Sequence, residues 1–137
     1  MNCVLTGTGK RGLYMDKKVL IVEDERILAE DMKSKISDFG LVPCGIESNG
    51  ENAIAAAKKE NPDLIIMDIK LKGDMDGIET VACIREFCQC PVIFITAFIN
   101  LEKTENIKSL GNISYLVKPY YDHELQTEIE KLLKNRQ

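Results

Sequence analysis

The chain has 137 residues, of which 45% are hydrophobic and 29% are charged, and its formal net charge is −4. This length suffices for one ordinary core and leaves little room for a second domain, so we expect one soluble domain. The negative charge argues against direct binding of nucleic acid or anionic membranes, and no apolar run approaches the roughly 20 residues of a membrane span, so a cytoplasmic protein is expected.

The N-terminal segment differs from the rest of the chain. Residues 1–16 lack hydrophobic periodicity, and we expect them to form a flexible extension, whereas residues 17–137 form the domain. The sequence Gly7-Thr8-Gly9-Lys10-Arg11 superficially resembles a phosphate-binding loop. The P-loop pattern requires glycine where Val4 stands, so no nucleotide site is predicted there.

Strand-like and helix-like segments alternate five times in the domain. The first strand is the apolar run 19–22. The next helix is expected to bury one face, made of Leu28, Met32, Ile36 and Phe39. The following strand, 41–46, contains Pro43, and proline occurs in sheets almost only at edges, so this strand is placed at an edge. An alanine-rich helix over 51–60 then ends before Pro62.

The second half of the domain continues this alternation. Strand 64–67 precedes a helix over 77–87, strand 92–95 follows, and Asn100 caps a helix that ends at Leu110. The run 115–117 is the last strand, and Asp122 is expected to cap the final helix. The buried face of that helix is expected to consist of Leu125, Ile129, Leu132 and Leu133.

Four of the five predicted strands are almost wholly apolar. Such runs are typical of parallel strands that helices cover on both faces, and we expect all four to be buried. The sequence therefore predicts an α/β fold with a doubly wound, five-stranded parallel sheet, a (βα)5 flavodoxin-like three-layer sandwich.

Polar residues stand where these four apolar runs end: Glu23, Asp24, Asp68, Thr96 and Lys118. Since the ligand site of a doubly wound sheet lies beyond the carboxyl ends of its strands, we expect these side chains to share a pocket. Taken singly, Glu23 and Asp24 could be an acidic first helical turn, and Asp68 a turn residue. Their joint placement favours a common site.

Clustered carboxylates indicate a cation and a phosphoryl group. The carboxylates repel one another, so a cation must balance them, and Mg²⁺ fits best because it prefers a few carboxylate oxygens together with water and phosphate oxygens. A carboxylate at the end of the central strand can attack a phosphoryl group and form an aspartyl phosphate. Asp68 is the candidate nucleophile.

Five motifs in this order resemble the response-regulator receiver domain of two-component signalling, a chemotaxis-regulator-like domain, over about residues 17–134. They are Val19-Leu20-Ile21-Val22-Glu23-Asp24-Glu25, Asp63-Leu64-Ile65-Ile66-Met67-Asp68, Asp76-Gly77, Thr96-Ala97 and Lys118-Pro119. The resemblance implies a phosphoprotein that catalyses only its own phosphorylation and dephosphorylation and is otherwise no enzyme. A histidine kinase or phosphotransfer protein would donate the phosphoryl group to Asp68 in the presence of Mg²⁺.

The resemblance also implies which residues bind the metal. Asp24 and Asp68 would ligate Mg²⁺ directly, Glu23 would act mainly through water, and the carbonyl of Lys70 would supply a further oxygen. Glu23 departs from the aspartate that is commoner in the family, and its longer side chain favours a water-mediated contact.

The remaining roles concern the phosphoryl group and the response to it. By resemblance, Lys118 and Thr96 contact the phosphoryl oxygens and Ala97 leaves an entry path for the donor, while Tyr115 is the switch aromatic that moves inward with Thr96. The surface that responds spans roughly residues 100–134. It could bind a downstream partner or a second copy of the chain.

Two further departures from the family pattern are visible. The loop 70–77 is one residue longer than the common form, with Lys72 where proline is usual. Phe98 and Lys70 flank the expected path of water to Asp68, and we expect Phe98 to slow hydrolysis of the phosphoryl group.

Three alternatives stay open. A haloacid-dehalogenase-type phosphatase needs a second aspartate two residues after the first, where Lys70 stands. A flavodoxin-like cofactor binder needs a phosphate loop rich in glycine or hydroxyl groups after the first strand, and the sequence has none. A pseudo-receiver would bind partners without phosphorylation, because a fold does not guarantee an activity.

The cysteines and the single histidine are not predicted to form a site. Cys3, Cys44, Cys83, Cys88 and Cys90 lack the paired spacing of a zinc site or redox dithiol, and we expect reduced thiols. His123 is expected at the surface, in the first turn of the last helix.

Overall fold

The structure, a computed structural model, describes residues 16–97 and 107–136, with side chains up to residue 134. The predictions made for residues 1–15, for Phe98 and for the part of a helix over 100–106 lie outside the described residues. None of the helices among the described residues is long and apolar enough to cross a membrane.

Five strands alternate with helices along the described chain. The strands are β1 (Lys18–Val22), β2 (Val42–Glu47), β3 (Leu64–Asp68), β4 (Val92–Thr96) and β5 (Ile113–Val117). The helices are α1 (Arg26–Asp38), α2 (Gly50–Glu60), α3 (Gly77–Ile84), α4 (described at 107–109) and α5 (Asp122–Arg136). Neighbouring strands are parallel and lie in the order β2-β1-β3-β4-β5. The predicted doubly wound α/β fold is confirmed, with β2 at an edge.

The core lies on both faces of the sheet, because alternate side chains of a strand point to opposite faces. On one face, the strand residues Ile21, Ile66 and Ile95 pack with Ile36 of α1 and Ile129 of α5. On the opposite face, the strand residues Leu20, Met67 and Phe94 pack with Ala53 of α2 and Val81 of α3. Burial of both faces fixes the register of the strands and therefore the direction in which their last residues point.

The fifth strand is less buried than its apolar sequence predicts. In β5, Leu116 is buried, but Tyr115 is 38% exposed and Val117 is 37% exposed. The prediction of four buried strands is wrong here because β5 lies at the second edge of the sheet and pairs, among the described strands, with β4 alone.

The two long helices also differ from the predictions in detail. Leu28 is 40% exposed, and Ala29 takes its place on the buried face of α1. Asp122 is the first residue of α5 rather than its cap. The N–H of Tyr121, in the capping position, donates to Glu124 Oε1 at 2.8 Å. The predicted inward residues of α5 are buried: Leu125, Ile129, Leu132 and Leu133.

Smaller elements complete the comparison with the sequence. Helix α3 ends at Ile84, three residues before its predicted end at Phe87. His123 is exposed, as predicted, and stacks on Tyr121 with ring centroids 5.5 Å apart. Cys44, Cys83, Cys88 and Cys90 form no disulfide among the described residues.

Candidate functional site

Three carboxylates converge at the carboxyl end of the sheet. Glu23 and Asp24 follow β1, and Asp68 is the last residue of the neighbouring strand β3. One carboxylate oxygen from each residue lies within 4.8 Å of the other two. Asp68 is 9% exposed, whereas Glu23 and Asp24 are half-buried. The parallel direction of β1 and β3 produces this cluster, because both strands end at the same edge.

A backbone N–H group holds each of the three carboxylates. The N–H of Glu25 donates to Glu23 Oε2 at 3.1 Å, and the N–H of Lys70 donates to Asp68 Oδ1 at 3.1 Å. The N–H of Lys72 donates to Asp24 Oδ2 at 3.0 Å. These donors orient the carboxylates and offset part of their mutual repulsion.

The neighbouring strands β4 and β5 bring a hydroxyl and an ammonium group to the same end of the sheet. Thr96 is the last residue of β4 and is buried. Lys118 follows β5, and its backbone N–H donates to the Thr96 carbonyl at 2.7 Å. Ala97 is exposed beside Thr96, and Tyr115 lies on β5, away from the carboxyl end of that strand.

Burial and crowding perturb two of the carboxyl groups. Burial raises the pKa of Glu23 to about 7, and the charge of Asp68 adds to this effect, while the Glu25 N–H and the Lys118 charge oppose it. Burial also raises the pKa of Asp68; the Lys70 N–H and Lys118 lower it, and the charge of Asp24 raises it. The ionised cluster is therefore disfavoured without a cation.

The composition of the cluster fits Mg²⁺. All three side chains offer oxygen, and a divalent cation would favour the ionised forms that burial disfavours. Mg²⁺ prefers hard oxygen ligands and retains water, so one or two carboxylates at an open cluster suit it. The residues that could hold it are Glu23, Asp24 and Asp68.

Helix α3 packs directly against the end of β3. The N–H of Gly77 donates to the Ile69 carbonyl at 2.8 Å. A Cβ atom at Gly77 would lie 2.2 Å from the carbonyl oxygen of Asp68. Asp76 caps the helix by accepting from the Glu79 N–H at 2.8 Å, and the Glu79 side chain accepts from the Asp76 N–H. This junction fixes the backbone that carries Asp68.

Sequence reasoning missed a charged cluster that joins α1 to α5. Lys35 Nζ lies 3.1 Å from Asp31 and 3.1 Å from Asp122, and it stands 5.6 Å from the centre of the Tyr120 ring. Beside it, a cleft of about 200 Å³ opens onto Glu23 and Asp68. The four-residue spacing of Asp31 and Lys35 is the only part of this arrangement that the sequence could have indicated.

Without Mg²⁺, the free energy of unfolding should decrease as the pH rises from about 4.5 to about 7. The pKa of Glu23 is raised from 4.5 to about 7, so the folded chain binds more protons than the unfolded chain across this range. This contribution to stability is complete below pH 4.5 and is lost as the pH passes 7. Since Glu23 is only half-buried, we expect a loss of about 2 kcal/mol.

Urea unfolding at several pH values in the presence of a chelator measures this effect. Glu23→Gln should remove the part of the pH dependence that comes from Glu23 and leave the part that comes from Asp68, whose pKa burial also raises. Glu25→Gln should retain the whole pH dependence, because Glu25 is exposed and its side chain makes no capping bond. An equal pH dependence in the two variants would assign the effect to other groups. Added Mg²⁺ should reduce the slope in the unmodified protein.

Comparison with known proteins identifies the family. The family model for the response regulator receiver domain matches residues 19–130. Sporulation initiation phosphotransferase F of Bacillus subtilis (strain 168) is 32% identical over 123 residues, which cover 87% of this chain and 95% of that protein. Transcriptional regulatory protein PdtaR of Mycobacterium tuberculosis (strain CDC 1551 / Oshkosh) is 32% identical over 114 residues, covering 83% of this chain and 55% of that protein. The chain therefore spans about half the length of PdtaR.

Solved structures agree with this assignment. The signal receiver domain of a modulated diguanylate cyclase from Desulfovibrio desulfuricans G20 is 34% identical and has a TM-score of 0.80, with 88% of this chain and 95% of that chain covered. Chemotaxis protein CheY4 of Vibrio cholerae is 27% identical and has a TM-score of 0.77, with 85% and 98% covered. On the family match and these similarities, the chain belongs to the response regulator receiver domain family of two-component systems.

Proposed function

We propose that residues 17–137 form a receiver domain that accepts a phosphoryl group on Asp68 in a reaction that requires Mg²⁺. The observation that carries this proposal is the convergence of three carboxylates within 4.8 Å at the end of the sheet. Asp68 is the buried member of this cluster and ends the central strand β3. Phosphoryl transfer needs chiefly positioning and neutralisation of charge, which this site can supply.

In the proposed reaction, a carboxylate oxygen of Asp68 bonds to phosphorus. The bond from phosphorus to the donor breaks at the same time, and its electron pair stays on the donor, a histidine nitrogen or the acetate oxygen of acetyl phosphate. The Lys70 N–H orients the carboxylate. Glu23, Asp24 and Asp68 would hold Mg²⁺, which when bound would neutralise negative charge during the transfer. The Lys118 ammonium and the Thr96 hydroxyl contact the phosphoryl oxygens.

The response to phosphorylation is proposed to pass through β4 and β5. The Lys118 N–H donates a hydrogen bond to the Thr96 carbonyl, with 2.7 Å between nitrogen and oxygen, so movement of one strand end displaces the other. The added negative charge attracts Lys118 and Thr96 and biases a two-state surface. Tyr115 is 38% exposed on β5 and is proposed to move inward with Thr96, and the surface proposed to respond is the segment 100–134.

The proposed partners are a histidine kinase or a phosphotransfer protein as donor and a downstream protein or a second copy of the chain as receiver of the signal. Sporulation initiation phosphotransferase F supports a place in phosphoryl transfer, because the match covers 95% of that protein. We place the reaction in the cytoplasm. The reactions proposed for the domain are its own phosphorylation and dephosphorylation.

Intact-mass measurement after incubation with acetyl phosphate tests the proposal. The protein should gain the mass of one phosphoryl group in Mg²⁺ and gain none when EDTA removes the metal. Circular dichroism in both buffers controls for folding. If the folded protein forms no adduct with a panel of small phosphodonors, the chain is instead a pseudo-receiver that binds partners without phosphorylation.

A further inference from the structure

The loop between β3 and α3 reaches across the sheet end and holds Asp24. The N–H of Lys72 donates to Asp24 Oδ2 at 3.0 Å, although the two residues are 48 positions apart in the sequence. Asp24 follows β1 and is half-buried, whereas Lys72 is exposed. The contact therefore joins one carboxylate of the cluster to the backbone of a different element.

The loop is anchored at its base and takes an unusual conformation at its tip. At the base, the Gly77 N–H is bonded to the Ile69 carbonyl at 2.8 Å, and Asp76 is fixed by the capping box of α3. At the tip, Gly73 has a φ of +107°, which residues with a side chain rarely adopt. A Cβ atom at Gly73 would have no heavy atom within 4 Å, so the need for glycine there is conformational rather than steric.

This hydrogen bond bears directly on metal binding. An aspartate at the end of a strand can occupy several rotamers, and a donor on Oδ2 restricts Asp24 to the one that points into the cluster. An ionised carboxylate offers about four lone-pair sites, so the bond leaves capacity for a metal. The donor also offsets part of the repulsion from Glu23 and Asp68.

We infer that the backbone N–H of Lys72 positions Asp24 for the metal, and that Gly73 sets the loop conformation that presents this N–H. The inference rests on the proposed Mg²⁺ site and assigns no role to the Lys72 side chain. Groups that orient metal ligands typically change metal affinity by about 10- to 100-fold when they are removed.

Two substitutions of the same residue separate the N–H from the side chain. Lys72→Pro removes the donor, and Lys72→Ala removes the side chain but retains the donor. Isothermal titration calorimetry with Mg²⁺ alone should give a Kd about tenfold weaker for Lys72→Pro and an unchanged Kd for Lys72→Ala. Equal Mg²⁺ affinities in the two variants would overturn the inference, whether both match the unmodified protein or both are weaker.

A second pair of variants avoids proline, which also restricts the backbone of buried Leu71. Gly73→Ala and Gly111→Ala both place a Cβ atom in open space at a positive φ, +107° and +69°. Both should lower the free energy of unfolding, but only Gly73→Ala should weaken Mg²⁺ binding, because Gly111 precedes β5 at the opposite end of the sheet. Equal Mg²⁺ affinity in the two glycine variants would overturn the inference.

The unmodified protein distinguishes failure of this inference from failure of the proposed function. If the unmodified protein binds Mg²⁺ and all four variants bind it with the same affinity, the proposed metal site is supported and the proposed role of the loop is contradicted. If the folded, unmodified protein binds no Mg²⁺, the proposed metal requirement and the role of the loop fall together.

Discussion

Replacing Asp68 by asparagine should abolish the phosphoryl adduct formed with acetyl phosphate and Mg²⁺. The amide that replaces the carboxylate is a poor nucleophile, and it removes one negative charge from the proposed metal site. Removal of a nucleophile typically reduces such reactions by about a thousandfold or more, so the adduct should be undetectable by intact mass. The substituted protein should still fold, because burial raises the pKa of Asp68 and shows that its charged form is disfavoured there.

Asp74→Asn is the matched control for this experiment. It makes the same chemical change in the adjoining loop, but Asp74 is exposed and is not a member of the three-carboxylate cluster. This variant should form the adduct as the unmodified protein does. If the Asp68→Asn variant still gains a phosphoryl group, peptide mapping would locate the true acceptor, and Asp68 would lose the role proposed for it.

The convergence of the acidic residues could be predicted from the sequence because it depends on few physical requirements. Apolar runs covered by helices form parallel strands, and parallel strands that alternate with helices end at the same edge of the sheet. Glu23, Asp24 and Asp68 stand immediately at the ends of two such runs, and the structure places their oxygens within 4.8 Å. The roles of these residues remain proposals.

Features that depend on the tertiary fold as a whole could not be predicted in this way. The run Tyr115-Leu116-Val117 has the composition of a buried strand, but its exposure is decided by the position of β5 at the edge of the sheet. The hydrogen bond from the Lys72 N–H to Asp24 joins residues 48 positions apart. Its donor is a backbone group, so the pattern of side chains in the sequence does not indicate it. Contacts of this kind can be predicted only once the conformation of the loop is known.

The last prediction concerns Gly77, where α3 meets the end of β3. In a Gly77→Ala variant the added Cβ atom would lie 2.2 Å from the Asp68 carbonyl oxygen and 2.9 Å from Ile69 Cα. Both neighbours are backbone atoms, so rotation of a side chain cannot relieve the overlap, and the helix or the strand end must shift. We expect the free energy of unfolding, measured in urea, to decrease by about 3 kcal/mol.

Gly45→Ala provides the control, since its Cβ atom would meet Leu20 Cδ1 at an ordinary 3.4 Å and should change the free energy of unfolding by less than about 1 kcal/mol. If the two alanine variants were equally stable, α3 would not be packed against β3 as the structure has it. The shift at Gly77 must also displace the backbone of Asp68. The Gly77→Ala variant should therefore form the phosphoryl adduct more slowly even where it is fully folded, and this couples the packing of α3 to the chemistry of the site.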